Sequence, residues 1–220
     1  MLTGKQLNIF KAFVMYPFKE YTRQNIKSIA QEKSNNALSL AFSQFKKEDL
    51  LIEKKVGKSS LYTLNLENDL VFYYIALIND LRLKKTVKTS INYVKEKTKK
   101  VTPFFSIIIF GSFAIHQEKK DSDLDICILI ENKNIVKNLK IAIKDAELKS
   151  LINLDINIIT KEDMIEMLIN DEENLGKQIV KKHIVIYNHQ LFYDILKEGI
   201  KNGFRIWNIH QESNKRNKPF

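Results

Sequence analysis

The residues with the clearest chemistry in this 220-residue chain are Gly111-Ser112 and, eleven residues beyond the serine, Asp123 and Asp125. Glycine has no Cβ, so backbone at Gly111 can approach phosphate oxygens closely. Ser112 adds a hydroxyl at the start of an expected short helix, whose free N–H groups attract anions. Two residues apart on a strand, Asp123 and Asp125 project from one face. Two carboxylates aimed at one point repel each other unless a cation lies between them. Mg²⁺ suits such a site, because it takes a few carboxylates together with phosphate oxygens and waters. The order therefore predicts a nucleoside triphosphate held against divalent metal. Asp155, in the stretch LINLDINIIT, is the candidate third carboxylate.

These motifs resemble the nucleotidyltransferase superfamily of DNA polymerase β, particularly its minimal and kanamycin-nucleotidyltransferase-like branches. The family pattern is Gly-Ser, about ten residues, Asp-x-Asp, then a carboxylate on a later strand; Gly111-Ser112, Asp123-Leu124-Asp125 and Asp155 stand in those places. The resemblance covers about residues 100–190. Where many relatives carry Arg and a second Gly after Gly-Ser-x-Ala, this chain has Ile115 and His116. The resemblance implies two Mg²⁺ ions held by Asp123, Asp125 and Asp155, with ATP or another nucleoside triphosphate as donor. It further implies that Gly111 and Ser112 hold the β- and γ-phosphates, that Asp155 takes the acceptor's proton, and that the acceptor hydroxyl belongs to a protein or RNA. Two other readings are a DNA-binding regulator whose transferase fold senses nucleotide, and an antitoxin of a toxin–antitoxin pair.

The elements that must position these residues are read from periodicity. Apolar runs at 104–110, 124–130 and 154–159 are strands of a small mixed sheet, and 112–118, 134–147, 161–169 and 191–202 are helices, with 178–187 passing from helix to strand. On the third strand Leu154, Ile156 and Ile158 face one way and Asp155 the other, towards the other two aspartates.

The first 68 residues form a separate module. Helical spacing occurs over 5–16, 22–31 and 35–48, with Thr22 and Ser34 as N-caps. Leu50-Leu51-Ile52 opens a strand, Val56-Gly57-Lys58 turns, and 60–66 returns. Three helices and a hairpin resemble a winged helix-turn-helix. That resemblance offers Asn35, Asn36 and Ser39 to DNA base edges and Lys54, Lys55 and Lys58 to phosphates. Residues 69–100 hold no Gly or Pro and read as a helical linker of one or two helices. Its first half is apolar all round and must be covered, for instance in a homodimer seam. The expected organisation is thus α+β: winged helix 1–68, linker 69–100, nucleotidyltransferase domain 101–205 with its closing helix, and a basic tail 206–220.

Composition agrees with this division. Residues 1–68 hold 11 Lys/Arg against 6 Asp/Glu, 69–100 hold 8 against 3, and 101–205 hold 14 against 16. The excess of positive charge behind the net +10 therefore lies in the first hundred residues, where a polyanion would be met. The longest apolar runs are far too short for a bilayer. No secretory pattern opens the chain, and the single cysteine, Cys127, excludes an internal disulfide; both lead to an expected cytoplasmic location with no membrane partner. His116, His183, His189 and His210 lack the spacing of a zinc site.

Overall fold

A computed structural model describes residues 1–205. The expected basic tail, 206–220, lies outside the described residues. The chain divides into two compact units, 1–81 and 82–220. No described helix is long and apolar enough to cross a membrane.

In the first unit, α1 (Gly4–Val14), α2 (Arg23–Ile29) and α3 (Asn35–Lys47) precede an antiparallel hairpin of β1 (Leu51–Val56) and β2 (Ser59–Leu64). Each helix start is fixed by a side chain. Thr3 and Thr22 make reciprocal capping boxes with Gln6 and Asn25, and the Ser34 hydroxyl accepts from the Ala37 N–H. A bridge between Tyr21 and Tyr62 ties the segment before α2 to the hairpin through paired backbone bonds of 2.9 and 2.8 Å. The core is aromatic. Phe10, Phe13, Phe42 and Phe45 are fully buried and meet largely edge to face, for instance Phe10–Phe45 at 5.2 Å between centroids.

The segment expected as a linker is two helices, α4 (Asp69–Arg82) and α5 (Lys85–Lys99). The break between the units falls at 81/82, inside that segment rather than beside it. Val71, Tyr74, Ile75 and Ile78 of α4 are buried, while Leu70, Tyr73, Leu77 and Leu81 are exposed. The Tyr74 hydroxyl donates to Glu48 at 2.8 Å and accepts from the Leu2 N–H at 3.0 Å, so α4 is bonded into the first unit.

The second unit is built on a four-stranded mixed sheet of β3 (Phe105–Phe110), β4 (Leu124–Ile130), β5 (Leu154–Thr160) and β6 (His183–Tyr187), in the order β5-β4-β3-β6. β3 runs antiparallel to both its neighbours, and β4 and β5 are parallel. The parallel pair requires a crossover, supplied by a 3-10 turn at Lys133–Ile135 and α7 (Val136–Lys149). β3 and β4 read as continuous apolar runs because both faces are covered. One face packs Ile107, Ile109, Leu124, Ile126 and Ile128 against Val87, Ile91 and Val94 of α5 and Leu139, Ile143 and Ala146 of α7. Ile108, Cys127 and Leu129 alternate with these and are also buried. α8 (Lys161–Ile169), α9 (Leu175–Lys181) and α10 (His189–Lys201) complete the unit.

The helix expected over 112–118 is shorter. α6 spans only Gly111–Ala114, because the chain leaves helical geometry at Ile115 and passes into the left-handed region at His116, φ +55°.

Candidate active site

The site is assembled where β3 ends and β4 and β5 begin. β3 delivers Gly111 directly from Phe110, and the chain turns there with φ +66°. In that conformation a Cβ on residue 111 would lie 2.1 Å from Oδ2 of Asp125. Only glycine fits, and what fills the space is a carboxylate. The close approach of backbone is thus made first to Asp125, and any phosphate held at this turn is held beside that side chain.

Asp125 is the second residue of β4 and is half-buried. Its register partner across the parallel pair is Asp155, the second residue of β5. Paired residues on neighbouring strands present their side chains to the same face, with strands about 4.8 Å apart. Asp123 immediately precedes β4 and shares the face of Asp125 by the two-residue period. The electrostatics agree with this gathering. Burial raises the Asp125 carboxyl above the ordinary aspartate value, and the charges of Asp155 and then Asp123 raise it further. Both charges acting on Asp125 are negative, and no cation contributes. Asp123 and Asp155 are exposed, and Asp155 Oδ1 accepts a 3.4 Å bond from the Asn157 amide.

As the side chains stand, no three His, Cys, Asp or Glu residues among the described residues are drawn together tightly enough to hold one ion. The donor chemistry nevertheless fits a hard divalent cation. It consists of carboxylate oxygens from two strands, on one face, with an unmet excess of negative charge on Asp125. Asp123 and Asp155 are exposed side chains with room to turn.

Ser112 follows in α6 and is partly exposed. Four residues make a turn with almost no macrodipole, so what this turn offers an anion is its backbone N–H groups and the hydroxyl rather than a helix end. The turn is closed by Ile115 N–H to Ser112 O at 3.3 Å and Gln117 N–H to Ser112 O at 3.0 Å. His116 occupies the position where many resembling sequences carry glycine, and its φ of +55° shows the conformation that glycine would relieve. The substitution therefore keeps the path of the chain at a conformational cost.

Sequence reasoning did not single out Arg82. Its Nη2 donates to Ala114 O at 2.9 Å, at the far end of α6. The signal was slight: a lone arginine in a lysine-rich stretch, 32 residues before the carbonyl it reaches. Cys127, two residues beyond Asp125, is buried and its thiol is pushed well up by that burial, so it is a core residue and not a nucleophile.

In the first unit the residues singled out for DNA are all on the surface. Asn35, Asn36 and Ser39 are exposed on α3, Lys54 and Lys55 on β1, and Lys58 at the hairpin turn. Asn35 Oδ1 accepts from Lys27 at 2.5 Å, and Lys54 pairs with Glu20 at 3.5 Å.

Residues 92–191 match the family model described as Polymerase beta, Nucleotidyltransferase, a span of a little under half the chain that encloses Gly111, Ser112 and all three aspartates. The match supports a polymerase β-like nucleotidyltransferase domain in this segment. A solved structure described as "Crystal structure of the toxin-antitoxin with AMP-PNP" is similar at 16% identity and a TM-score of 0.35, covering 57% of this chain and 91% of that one. No curated protein matches.

Proposed function

We propose that this chain is a Mg²⁺-dependent nucleotidyltransferase that moves a nucleoside monophosphate, AMP from ATP, to a hydroxyl of a protein or RNA acceptor. The observation that carries the reading is the placement of Asp125: pressed against the Cβ-less face of Gly111, with Asp155 as its register partner and Asp123 two residues behind. The family match over 92–191 supports it.

In this reading Asp123, Asp125 and Asp155 hold the metal, two ions in all. When bound, the metal neutralises phosphate charge and makes the acceptor hydroxyl more acidic. The backbone of the Gly111 turn and the Ser112 hydroxyl hold the β- and γ-phosphates and fix the triphosphate in line with the acceptor, so that much of the rate comes from positioning and charge stabilisation. The acceptor oxygen bonds to the α-phosphorus, its proton passes to the Asp155 carboxylate, and the bond from the α-phosphorus to the bridging oxygen breaks. Pyrophosphate leaves with that electron pair. Burial and the two neighbouring negative charges make Asp125 the carboxylate with most to gain from a cation.

The first unit is proposed to be a winged helix that brings the transferase to DNA, with α3 at base edges and the hairpin lysines at phosphates. Its support is the order of three capped helices and an antiparallel hairpin, with exposed polar and basic side chains on α3 and the hairpin.

The test is incubation of the full chain with α-labelled ATP, Mg²⁺ and a cell lysate, comparing wild type with D123N/D125N. Label on a discrete protein or RNA, lost in the variant, supports transfer. Nucleotide binding without any transfer overturns the enzyme in favour of a nucleotide-sensing regulator.

A further inference from the structure

A side chain from outside the phosphate turn is bonded to its far end. The chain swings away from α6 through the left-handed His116, and the bond to the buried Ala114 carbonyl comes from Arg82 at 2.9 Å. Arg82 opens the second unit and is itself partly buried. Its charge also acts on the fully enclosed Tyr193, whose hydroxyl lies 3.4 Å from His183 Nε2. His183 is the register partner of Phe110, the residue before Gly111. The guanidinium is thus bonded to the end of α6, and its charge reaches the α10 side chain that lies against β6, the strand paired with β3. Two residues on, Lys84 pairs with Glu118 at 2.7 Å, but that lysine is 70% exposed, and such a pair contributes little.

We infer that Arg82 is the positioning residue of the Gly111-Ser112 turn, holding it in the shape that grips the β- and γ-phosphates. The inference rests on the nucleotidyltransferase reading. Without Arg82 the Ala114 carbonyl is buried and unpaired, and an unpaired buried acceptor is costly enough to move a four-residue turn. Arg82 touches no phosphate in this account; it acts through the turn. Its loss must then weaken ligands that reach the turn and spare those that do not.

The experiment is calorimetric titration of the full chain with AMP-PNP and, separately, with AMP, both with Mg²⁺. R82A is expected to weaken AMP-PNP about tenfold, the size of one lost charged hydrogen bond, while AMP changes by less than about twofold. R82K, which keeps one donor, recovers part of the loss, and K84A stays near wild type. Equal weakening of both nucleotides in R82A, or unchanged AMP-PNP affinity, overturns the role assigned to Arg82 and leaves the transferase reading standing. A wild type that binds neither nucleotide overturns both.

Discussion

A methyl group added to Gly111 would stand 2.1 Å from Oδ2 of Asp125 and 3.0 Å from its Cγ. A side chain at 111 and the Asp125 carboxylate would thus occupy the same space, so residue 111 cannot gain a Cβ while that carboxylate stays where it is. G111A must displace the carboxylate and also strain a backbone at φ +66°. Misplacement of a catalytic group by about 1 Å costs on the order of 100-fold in rate. The left-handed conformation adds about 1–2 kcal/mol of instability. Transfer assays should show the first, and a lowered melting temperature the second. An active G111A enzyme would sink the proposed site.

Asp125 carries a conflict between function and stability. Its carboxyl is held above the ordinary value by burial, then by Asp155, then by Asp123. An acid with a raised folded pKa contributes its full stability below the unfolded pKa and loses it as pH rises through the folded one. At neutral pH, above the unfolded value, the group therefore destabilises the unit. D125N should abolish transfer yet melt higher than wild type at pH 7, with the advantage vanishing as the pH falls below the ordinary aspartate range. Mg²⁺ should raise the wild-type melting temperature at pH 7, and chelation should reverse the gain; D125N should show little of either.

His189 gives the opposite slope. It begins α10, is 9% exposed, and its Nε2 has no hydrogen-bond partner among the described residues. Burial pushes its pKa down to about 4. A depressed histidine contributes stability above its unfolded value, and that stability is lost as pH falls through the folded one. Chemical denaturation at neutral pH and again near the depressed value should show wild type losing more stability than H189L.

His116 should be improvable. A non-glycine residue in the left-handed region costs about 1–3 kcal/mol, partly offset by the chain entropy that glycine loses on folding. H116G is expected to gain about 0.5–1 kcal/mol, at roughly 2–4 °C per kcal/mol for a chain of this size. The imidazole's charge acts on Glu118, and a lower melting temperature would mean that this interaction is worth more than the backbone strain.

For the first unit, K54E/K55E/K58E should weaken binding of duplex DNA at all sequences. The slope of log affinity against log salt should fall by about one for each lysine–phosphate pair removed. N36A and S39A should instead change which sequence is preferred. Binding that is insensitive to salt in the wild type contradicts the pairing of these lysines with phosphate.

Much of this arrangement was legible in the chain because its period is so regular. β4 and α8 begin and end where an apolar run and helical spacing place them, and Thr22 and Ser34 cap α2 and α3 as their side chains suit them to do. The two-residue period set Asp123 with Asp125 and turned Asp155 off the apolar side of its own strand, whereas the one-to-one register of Asp125 with Asp155 was not readable. Pairing across strands depends on segments far apart in sequence. The length of α6 was misjudged for a related reason: a helix ends where backbone geometry ends it, and nothing local in Ile115-His116 announces a left-handed residue. The break at 81/82 was hidden because α4 is apolar on both sides, so its pattern does not say which unit it belongs to. Arg82 was hidden for the plainest reason, since its partner is a backbone carbonyl with no sequence signature.

The three acidic groups do not share one fate. Two sit at the entrance of an interior ribbon, one of them pressed against Gly111, whereas the third rides on the outermost ribbon, bonded along one flank only among the described residues. Breathing of that rim at ordinary temperatures would move Asp155 first, so in the proposed reaction the capacity to accept a proton should fade before the grip on nucleotide does.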